Sequence, residues 1–453
     1  MTEKDFLRKL RRGLGSAIVE LWENPDRTKY RDIVLKCCLK NIGYDVQSEG
    51  TKGYYLYTAI CALGEKDEFE NTLINTFQKR LEHNLFQQIA DILCLYADDG
   101  SERARKALNE KYQSLYNRLL RQKAFPFRYC EREQFEYLMI CQVDYGKWAA
   151  FKQCIHDAGT IIAVRHDDLC SEYDWFIAHC ENIFGKNKVA EYFERETKSS
   201  TEVRAFTDAI SELASIREKN SRLRIEPEVT LESYIARAKE LESDQYAYAR
   251  MRLAARRFSR QASPEDFLKL VSHISDEPSD EIKANMLHVF RDADFPGDIG
   301  LLVNYVPCDC ERLRDIAIDA LGRFRDKRVH DLAIKLITEG NLDAGLPLLI
   351  ENWHKADEKL IRKQVLQTKK VSHSMQQDLR NIYAKHHSNS CGNILAHVYE
   401  YGDCTYCRSG IVKVMNKNYV LTDYLLKECR YDSFDETRKL AERVLKSREK
   451  DKM

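Results

Sequence analysis

The stretch of sequence that decides the fold covers residues 309–337, DCERLRDIAIDALGRFRDKRVHDLAIKLI. Its apolar residues recur every three or four positions, which is the spacing along one face of an α-helix. Two such apolar stripes follow one another, so the stretch predicts a unit of two short helices. A unit of this size cannot bury its apolar faces alone and needs neighbouring units to do so.

Similar units occur upstream at a nearly constant period. Residues 254–274, 286–306 and 317–337 align with steps of 32 and 31 residues. Four columns of the alignment are apolar in every copy: Ala254, Met286 and Ala317; Phe258, Phe290 and Leu321; Val271, Val303 and Ile334; Ile274, Val306 and Ile337. This repeat predicts a stack of helix pairs with one continuous core.

The unit at 309–337 resembles the HEAT repeat in its short, phycobilisome-lyase-like form. The resemblance rests on a turn Asp, a helix Arg and the small and apolar residues after it: Asp309, Arg314, Ala317, Ala320, Leu321 and Gly322. Two arginines near the C-terminus are followed by similar patterns: Arg408 with Ile411, Val414 and Met415, and Arg438 with Ala441, Val444 and Leu445. Residues that commonly cap helices lie five positions before each of the three arginines: Asp309, Asp403 and Ser433.

The resemblance covers residues 243–446 and implies an architecture and a class of function. The architecture is a right-handed α-solenoid of antiparallel helix pairs. Proteins of this kind are mostly scaffolds and adaptors that hold a protein partner on a concave or edge surface. A minority bind nucleic acid, and one branch excises damaged bases.

Helical periodicity extends over nearly the whole chain, and alternating β-type runs are essentially absent, so the predicted class is all-α. The repeat columns blur in the N-terminal half, where aromatic residues are frequent. A polar stretch at 217–228, closed by Pro227, is the expected boundary. We therefore predict an irregular helical-pair domain at 1–225 and a HEAT-like solenoid at 226–453.

Composition limits the environment in which the protein works. Lys plus Arg equals Asp plus Glu, 72 residues each, which excludes a basic coat over the whole surface. No apolar run is long enough to span a membrane, and the apolar stretch 13–19 is too short for a signal peptide. The fifteen cysteines are scattered and odd in number, so we expect free thiols, a cytoplasmic location and no membrane partner.

A basic helix at 247–260 is the most informative polar feature. Its apolar residues share one face, and five arginines fan across the opposite side: Arg250, Arg252, Arg256, Arg257 and Arg260. Such a face suits phosphates or an acidic partner. The alternative, which we favour, is a solvated helix balanced by nearby Asp and Glu residues.

Two further basic clusters bear on a nucleic-acid function. One contains Arg8, Lys9, Arg11 and Arg12; the other spans 118–128, with Phe125, Phe127 and Tyr129 interleaved. Basic residues beside aromatic ones suit single-stranded nucleic acid. A packed corner between helices around Pro126 is the more frequent origin of such a pattern.

The pair Cys404 and Cys407 is the one conspicuous motif of metal-binding or redox type. Structural zinc needs four ligands, and only one such pair exists, although Cys391, His397 and Cys429 could supplement it. A redox pair would want a strand-turn-helix setting. The repeat alignment offers an ordinary turn instead, because Cys404 falls in the column of Cys310. We therefore predict no metal and no cofactor.

The leading expectation is a non-enzymatic scaffold with a protein partner and no catalytic residues. Nucleic-acid binding through the face Arg250–Arg260 is the second expectation. A base-excising enzyme is the third, and it rests on fold analogy alone because no spacing singles out a catalytic set.

Overall fold

The computed structural model describes residues 1–121, 129–164, 173–222 and 229–450. Over these ranges the protein is all-α, as predicted, and the only β-type pairing there is an isolated bridge between Val371 and Gly402. No helix within the described ranges has the length and apolarity needed to cross a membrane.

The chain divides into two compact units. Unit 1 combines Met1–Arg224 with Tyr424–Met453, and unit 2 is Ile225–Asp423. The sequence had assigned everything after residue 225 to the repeat domain. The structure instead groups the last thirty residues with the N-terminal helices.

Contacts between the two ends of unit 1 explain this grouping. The backbone N–H of Ser433 donates to the carbonyl of Gly13 over 2.9 Å. Gly15 lies so close to the backbone of Glu428 that a Cβ would stand 1.8 Å from its carbonyl oxygen. Only glycine permits this approach, so the C-terminal segment is fitted against the start of the chain.

Unit 1 is built from an irregular set of helices. In the described ranges they are α1 (Glu3–Arg12), α2 (Gly15–Glu23), α3 (Arg31–Cys38), α4 (Val46–Glu49), α5 (Gly53–Leu63), α6 (Lys66–Phe77), α7 (His83–Asp98), α8 (Glu102–Arg121), α9 (Tyr129–Val164), α10 (Tyr173–Phe184), α11 (Lys186–Glu196) and α12 (Thr201–Arg222). Helix α9 is kinked at Lys147, whose φ of 56° is not helical, and it packs against α7, α8 and α12. The predicted boundary residue Pro227 lies outside the described ranges.

Unit 2 contains the repeats. Its helices in the described ranges are α13 (Leu231–Glu240), α14 (Ala247–Gln261), α15 (Pro264–Asp276), α16 (Asp280–Leu287), α17 (Gly300–Tyr305), α18 (Glu311–Leu321), α19 (Lys327–Thr338), α20 (Leu342–Asn352), α21 (Glu358–Gln367), α22 (His373–Lys385), α23 (Gly392–Tyr401) and α24 (Thr405–Lys417). Helix α25 (Asp423–Cys429) begins at the unit boundary, and α26 (Asp435–Lys450) belongs to unit 1.

The helices of unit 2 form two rows. Each even-numbered helix from α16 to α24 packs against the next even-numbered helix, and α17, α19, α21 and α23 do the same among themselves. The even-numbered helices begin at Asp280, Glu311, Leu342, His373 and Thr405, which are steps of 31, 31, 31 and 32 residues. We call these helices the even row.

Burial repeats with the sequence columns. Phe258, Phe290 and Leu321 are all buried, and so are Ile274, Val306 and Ile337. The column Val271, Val303 and Ile334 is half-buried in all three copies. In the remaining column, Met286 and Ala317 are buried and Ala254 is half-buried, so three of the four columns have the same burial in every copy.

The N-cap residues of the even row occupy equivalent positions, which we call the capping column. The capping positions predicted from sequence lie one residue too early. The N-cap residues are Ser279, Cys310, Asn341, Ser372 and Cys404, whereas Asp309 and Asp403 lie outside the helices. In every case except Cys310, the side chain accepts the N–H of the residue three positions later. These bonds satisfy donors that a helix start otherwise leaves unpaired.

Buried asparagines join successive repeats. Asn352, at the end of α20, donates to the carbonyl of Phe324 over 2.7 Å and accepts from the N–H of Asp326 over 3.0 Å. Asn418, just after α24, donates to the carbonyl of Tyr383 over 2.9 Å and accepts from the N–H of Ser388 over 2.7 Å. Each amide thereby fixes the turn of the preceding repeat, where backbone groups would otherwise be unpaired.

Candidate functional site

An open groove of about 610 Å³ runs across the even row. Helix α18 contributes five of its seven charged lining residues, α20 and α22 contribute one each, and Tyr248 of α14 also lines it. Its charged residues are five carboxyl groups and two guanidinium groups: Glu311, Asp315, Asp319, Asp343 and Asp378 against Arg312 and Arg314. We call this cavity the acidic groove.

Neighbouring groups partly satisfy the charges in the acidic groove. Arg291 pairs with Asp319 over 2.7 Å, and the hydroxyl of Ser374 donates to Asp343 over 2.7 Å. The guanidinium of Arg312 is bound to the side chain of Asn285 over 3.1 Å. The remaining negative charge is drawn from three consecutive repeats.

Burial raises the pKa of three groove carboxyls above the ordinary Asp value. The pKa of Asp315 and of Asp319 is raised chiefly by desolvation, and nearby Arg residues oppose the shift. The pKa of Asp378 rises to about 7, because burial is reinforced by the charges of Asp343 and Asp319. A cation in the groove would stabilise the ionised carboxylates and so lower their pKa.

The predicted basic face of α14 is only partly available. Arg250 pairs with Asp244 over 2.6 Å, Arg257 is half-buried, and Arg260 is engaged in a further interaction. Arg252 and Arg256 are exposed and have no ion pair within the described ranges. The apolar face is as predicted, since Ala247, Met251, Ala255 and Phe258 are buried.

Several residues of the other two basic clusters lie in ion pairs within unit 1. Arg8 and Lys9 both pair with Asp5 on α1. Arg118 pairs with Glu131 over 3.0 Å. Residues 122–128, with Phe125 and Phe127, lie outside the described ranges.

The cysteine pair has an unexpected third neighbour. Cys404 caps α24 and Cys407 lies in its first turn, where the N–H of Cys407 donates to the Cys404 Sγ over 3.4 Å. Nδ1 of His373, the first residue of α22, lies 3.5 Å from the Cys407 Sγ. Ligand atoms of all three residues lie within 4.8 Å of one another. We call these residues the Cys2His cluster.

The sequence analysis names Cys391, His397 and Cys429 as possible further ligands, but none of them belongs to the Cys2His cluster. Cys391 is buried at the N-cap of α23, and His397 binds the carbonyl of Thr368 over 2.6 Å. Cys429 belongs to unit 1. The sequence analysis missed His373, although a signal was present. The equivalent of Cys404 in the preceding repeat is Ser372, 32 residues earlier, and His373 directly follows it.

The two thiols of the cluster differ in acidity. A hydrogen bond from the thiol of Cys407 lowers the pKa of Cys404. The backbone N–H of Cys407 and the nearby His373 act in the same direction, and burial opposes them. The pKa of Cys407 is raised, because its proton is held by Cys404 and the site is buried.

A second group of possible ligands contains His330, His354 and Asp357. His330 Nε2 lies 3.2 Å from both carboxylate oxygens of Asp357. The backbone N–H of His354 donates to the same carboxylate over 2.7 Å. These bonds satisfy a buried carboxylate within the protein itself. The group is therefore explained as a polar link between α19 and the turn before α21.

The chain was compared with protein-family models, curated proteins and solved structures, and none of the three comparisons gave a match.

Proposed function

We propose that the protein is a non-enzymatic scaffold that holds a positively charged segment of a partner protein in the acidic groove. The proposed scaffold is a right-handed, HEAT-like α-solenoid in unit 2. Support for it comes from the regular helix starts, the equal burial in three of the four sequence columns and the two rows of neighbouring helices. Thirteen cysteines of the described ranges are free thiols, which suits the cytoplasmic location included in the proposal.

The charge of the acidic groove is the observation that carries this proposal. Five carboxyl groups and two guanidinium groups line one open cavity. Close carboxylates repel one another, and the raised pKa of Asp378 reports that repulsion together with burial. Lysine or arginine side chains would replace repulsion with attraction and displace the protons, so a basic segment is the complementary occupant.

Nucleic acid is the alternative ligand, and it would use a different surface. Arg252 and Arg256 are exposed one turn apart on α14, whereas the groove would repel phosphate. Two arginines supply few phosphate contacts, and most of the affinity of nucleic-acid binding comes from such contacts. The acidic groove has Tyr248 as its sole aromatic lining residue, which offers little support for a base-excising pocket.

The proposal is tested by binding of a fluorescent peptide of lysine, arginine and serine, measured by anisotropy. Glu311 and Asp315 are exposed and lie on the groove side of α18. The double variant Glu311→Lys with Asp315→Lys therefore leaves three carboxyl groups and four basic groups in the groove lining. We expect it to weaken binding about tenfold or more.

A matched control separates local charge from total charge. Glu265→Lys with Glu339→Lys changes net charge equally at two exposed positions outside the groove lining. We expect near wild-type affinity for this variant, weakened by salt as for any charge-driven complex. Equal loss in both variants, or no binding by the wild type at low salt, would refute the proposal.

A further inference from the structure

We propose that Cys404, Cys407 and His373 bind a zinc ion. Their ligand atoms already lie within 4.8 Å of one another, and two thiolates with one imidazole are a ligand set that zinc favours. The cysteines are nearly inaccessible, with 4% and 0% exposure, whereas His373 is exposed. Three protein ligands leave one position of a tetrahedral zinc for water, which reaches the site beside the exposed imidazole.

Helix α24 fixes the two sulfurs. As N-cap and third helical residue, Cys404 and Cys407 lie on the same side of the first turn, joined by the N–H to Sγ bond of 3.4 Å. The N–H groups at a helix start also stabilise negative charge, such as that of a thiolate. The first turn of α24 thus presents both sulfurs to one ion.

The imidazole of His373 is oriented for coordination. Nδ1 is the nitrogen nearer to the Cys407 sulfur, at 3.5 Å against 3.9 Å for Nε2. Nε2 lies 2.8 Å from the amide nitrogen of Gln377, one turn later on α22. Turning the Gln377 amide over exchanges its nitrogen for its oxygen at this contact. The oxygen then accepts the Nε2 proton and leaves Nδ1 free for a metal. Metal-binding histidines generally have such a partner on their second nitrogen.

The capping column shows that Cys404 is unusual for an ordinary turn. Three equivalent residues are Ser279, Asn341 and Ser372, which cap helices well and do so here. Cys310 is the other cysteine in the column, but Leu313 stands where Cys407 stands in α24. Cys310 is also absent from the ligand clusters found in the described ranges. The second sulfur and the imidazole thus distinguish the Cys404 turn from the Cys310 turn.

Zinc binding to the purified full-length chain tests the proposal. The reduced, chelator-stripped protein is titrated with zinc against a chromophoric chelator, and with cobalt to detect thiolate-to-metal charge transfer. We expect about one tight zinc site per chain, and thiolate absorption with cobalt.

Three variants make this test specific. Cys404→Ser and His373→Ala should each weaken zinc binding about a hundredfold or more, and Cys310→Ser should leave it unchanged. Serine is the better capping residue at position 404, and His373 is exposed, so both ligand variants should fold. Circular dichroism melts of the stripped proteins verify this.

Two results would overturn the zinc site. One is a reduced wild-type protein that binds zinc no better than the two ligand variants. The other is a chain that takes up no zinc when reduced and instead forms a disulfide between Cys404 and Cys407 on mild oxidation. Neither result bears on peptide binding in the acidic groove, because none of the three ligands lines it.

Discussion

The amide nitrogen of Gln377 lies 2.8 Å from Nε2 of His373, and the same side chain lines the acidic groove. One residue therefore borders both sites of unit 2. Gln377→Ala should lower zinc affinity about 10- to 100-fold, because the imidazole loses the partner that orients it. Peptide affinity should change little, since the side chain is uncharged. Competition titrations for zinc and anisotropy for the peptide measure the two effects; equal zinc affinity in variant and wild type would contradict the orienting role.

Peptide binding should be tighter at pH 8 than at pH 6. The pKa of Asp378 is about 7 in the folded protein, so the carboxyl gains charge across this interval. The change from roughly one-tenth to nine-tenths ionised should raise affinity by about threefold to tenfold. Anisotropy at both pH values checks this, and Asp378→Asn should flatten the profile.

Stability of the free protein should follow the opposite trend. The folded-state pKa of Asp378 lies above the unfolded value near 3.8, so the unfolded state releases its proton first. Protonated Asp378 therefore contributes fully to the free energy of unfolding below about pH 3.8, and this contribution is lost as pH rises toward 7. Asp378→Asn should therefore make the midpoint of thermal unfolding less dependent on pH between 5 and 8; an unchanged slope would show that Asp378 is not the group responsible.

The double variant Arg252→Glu with Arg256→Glu separates the two functional proposals. Both side chains are exposed, so the free energy of unfolding should change by no more than about 0.5 kcal/mol. Peptide affinity should stay the same or rise slightly, because neither residue lines the groove. Wild-type binding to single-stranded DNA that is steeply salt-dependent and lost in this variant would favour the nucleic-acid alternative.

The buried amide of Asn418 should contribute strongly to stability. Asn418→Ala removes the bonds to Tyr383 and Ser388 and leaves buried backbone groups unpaired. We expect a loss of about 1–3 kcal/mol in chemical denaturation. Asn304→Ala, an exposed asparagine on α17, should stay within about 0.5 kcal/mol of wild type. Equal losses in the two variants would rule out the structural role of the Asn418 bonds.

The regular part of the fold could be predicted because positions that are apolar in every copy of a repeat are usually buried. Met286 and Ala317 are apolar in the sequence and buried in the structure, one repeat step apart. The position of residues after Tyr424 could not be predicted in this way. It depends on close backbone approaches such as that of Gly15 to Glu428, which leave no periodic signal in the sequence.

The sites were harder to predict than the fold, for two different reasons. Glu311, Asp315 and Asp319 are spaced by four residues and so share a helix face, which is a signal that sequence contains. Asp378 joins them only because α22 lies in the same row. His373 and Cys407 lie in adjacent repeats. Predicting their contact would require the exact alignment of these repeats, and the sequence pattern is loose in this part of the chain.

Mapping the contact of a basic peptide on the protein tests the central claim most directly. A lysine- and arginine-rich peptide with a photoreactive group at its centre is cross-linked to the wild-type chain, and the modified residues are identified by mass spectrometry. We predict cross-links on α18, α20 and α22 at residues lining the acidic groove, lost in Glu311→Lys with Asp315→Lys. Cross-links distributed over the surface, or confined to other helices, would contradict the proposed scaffold function.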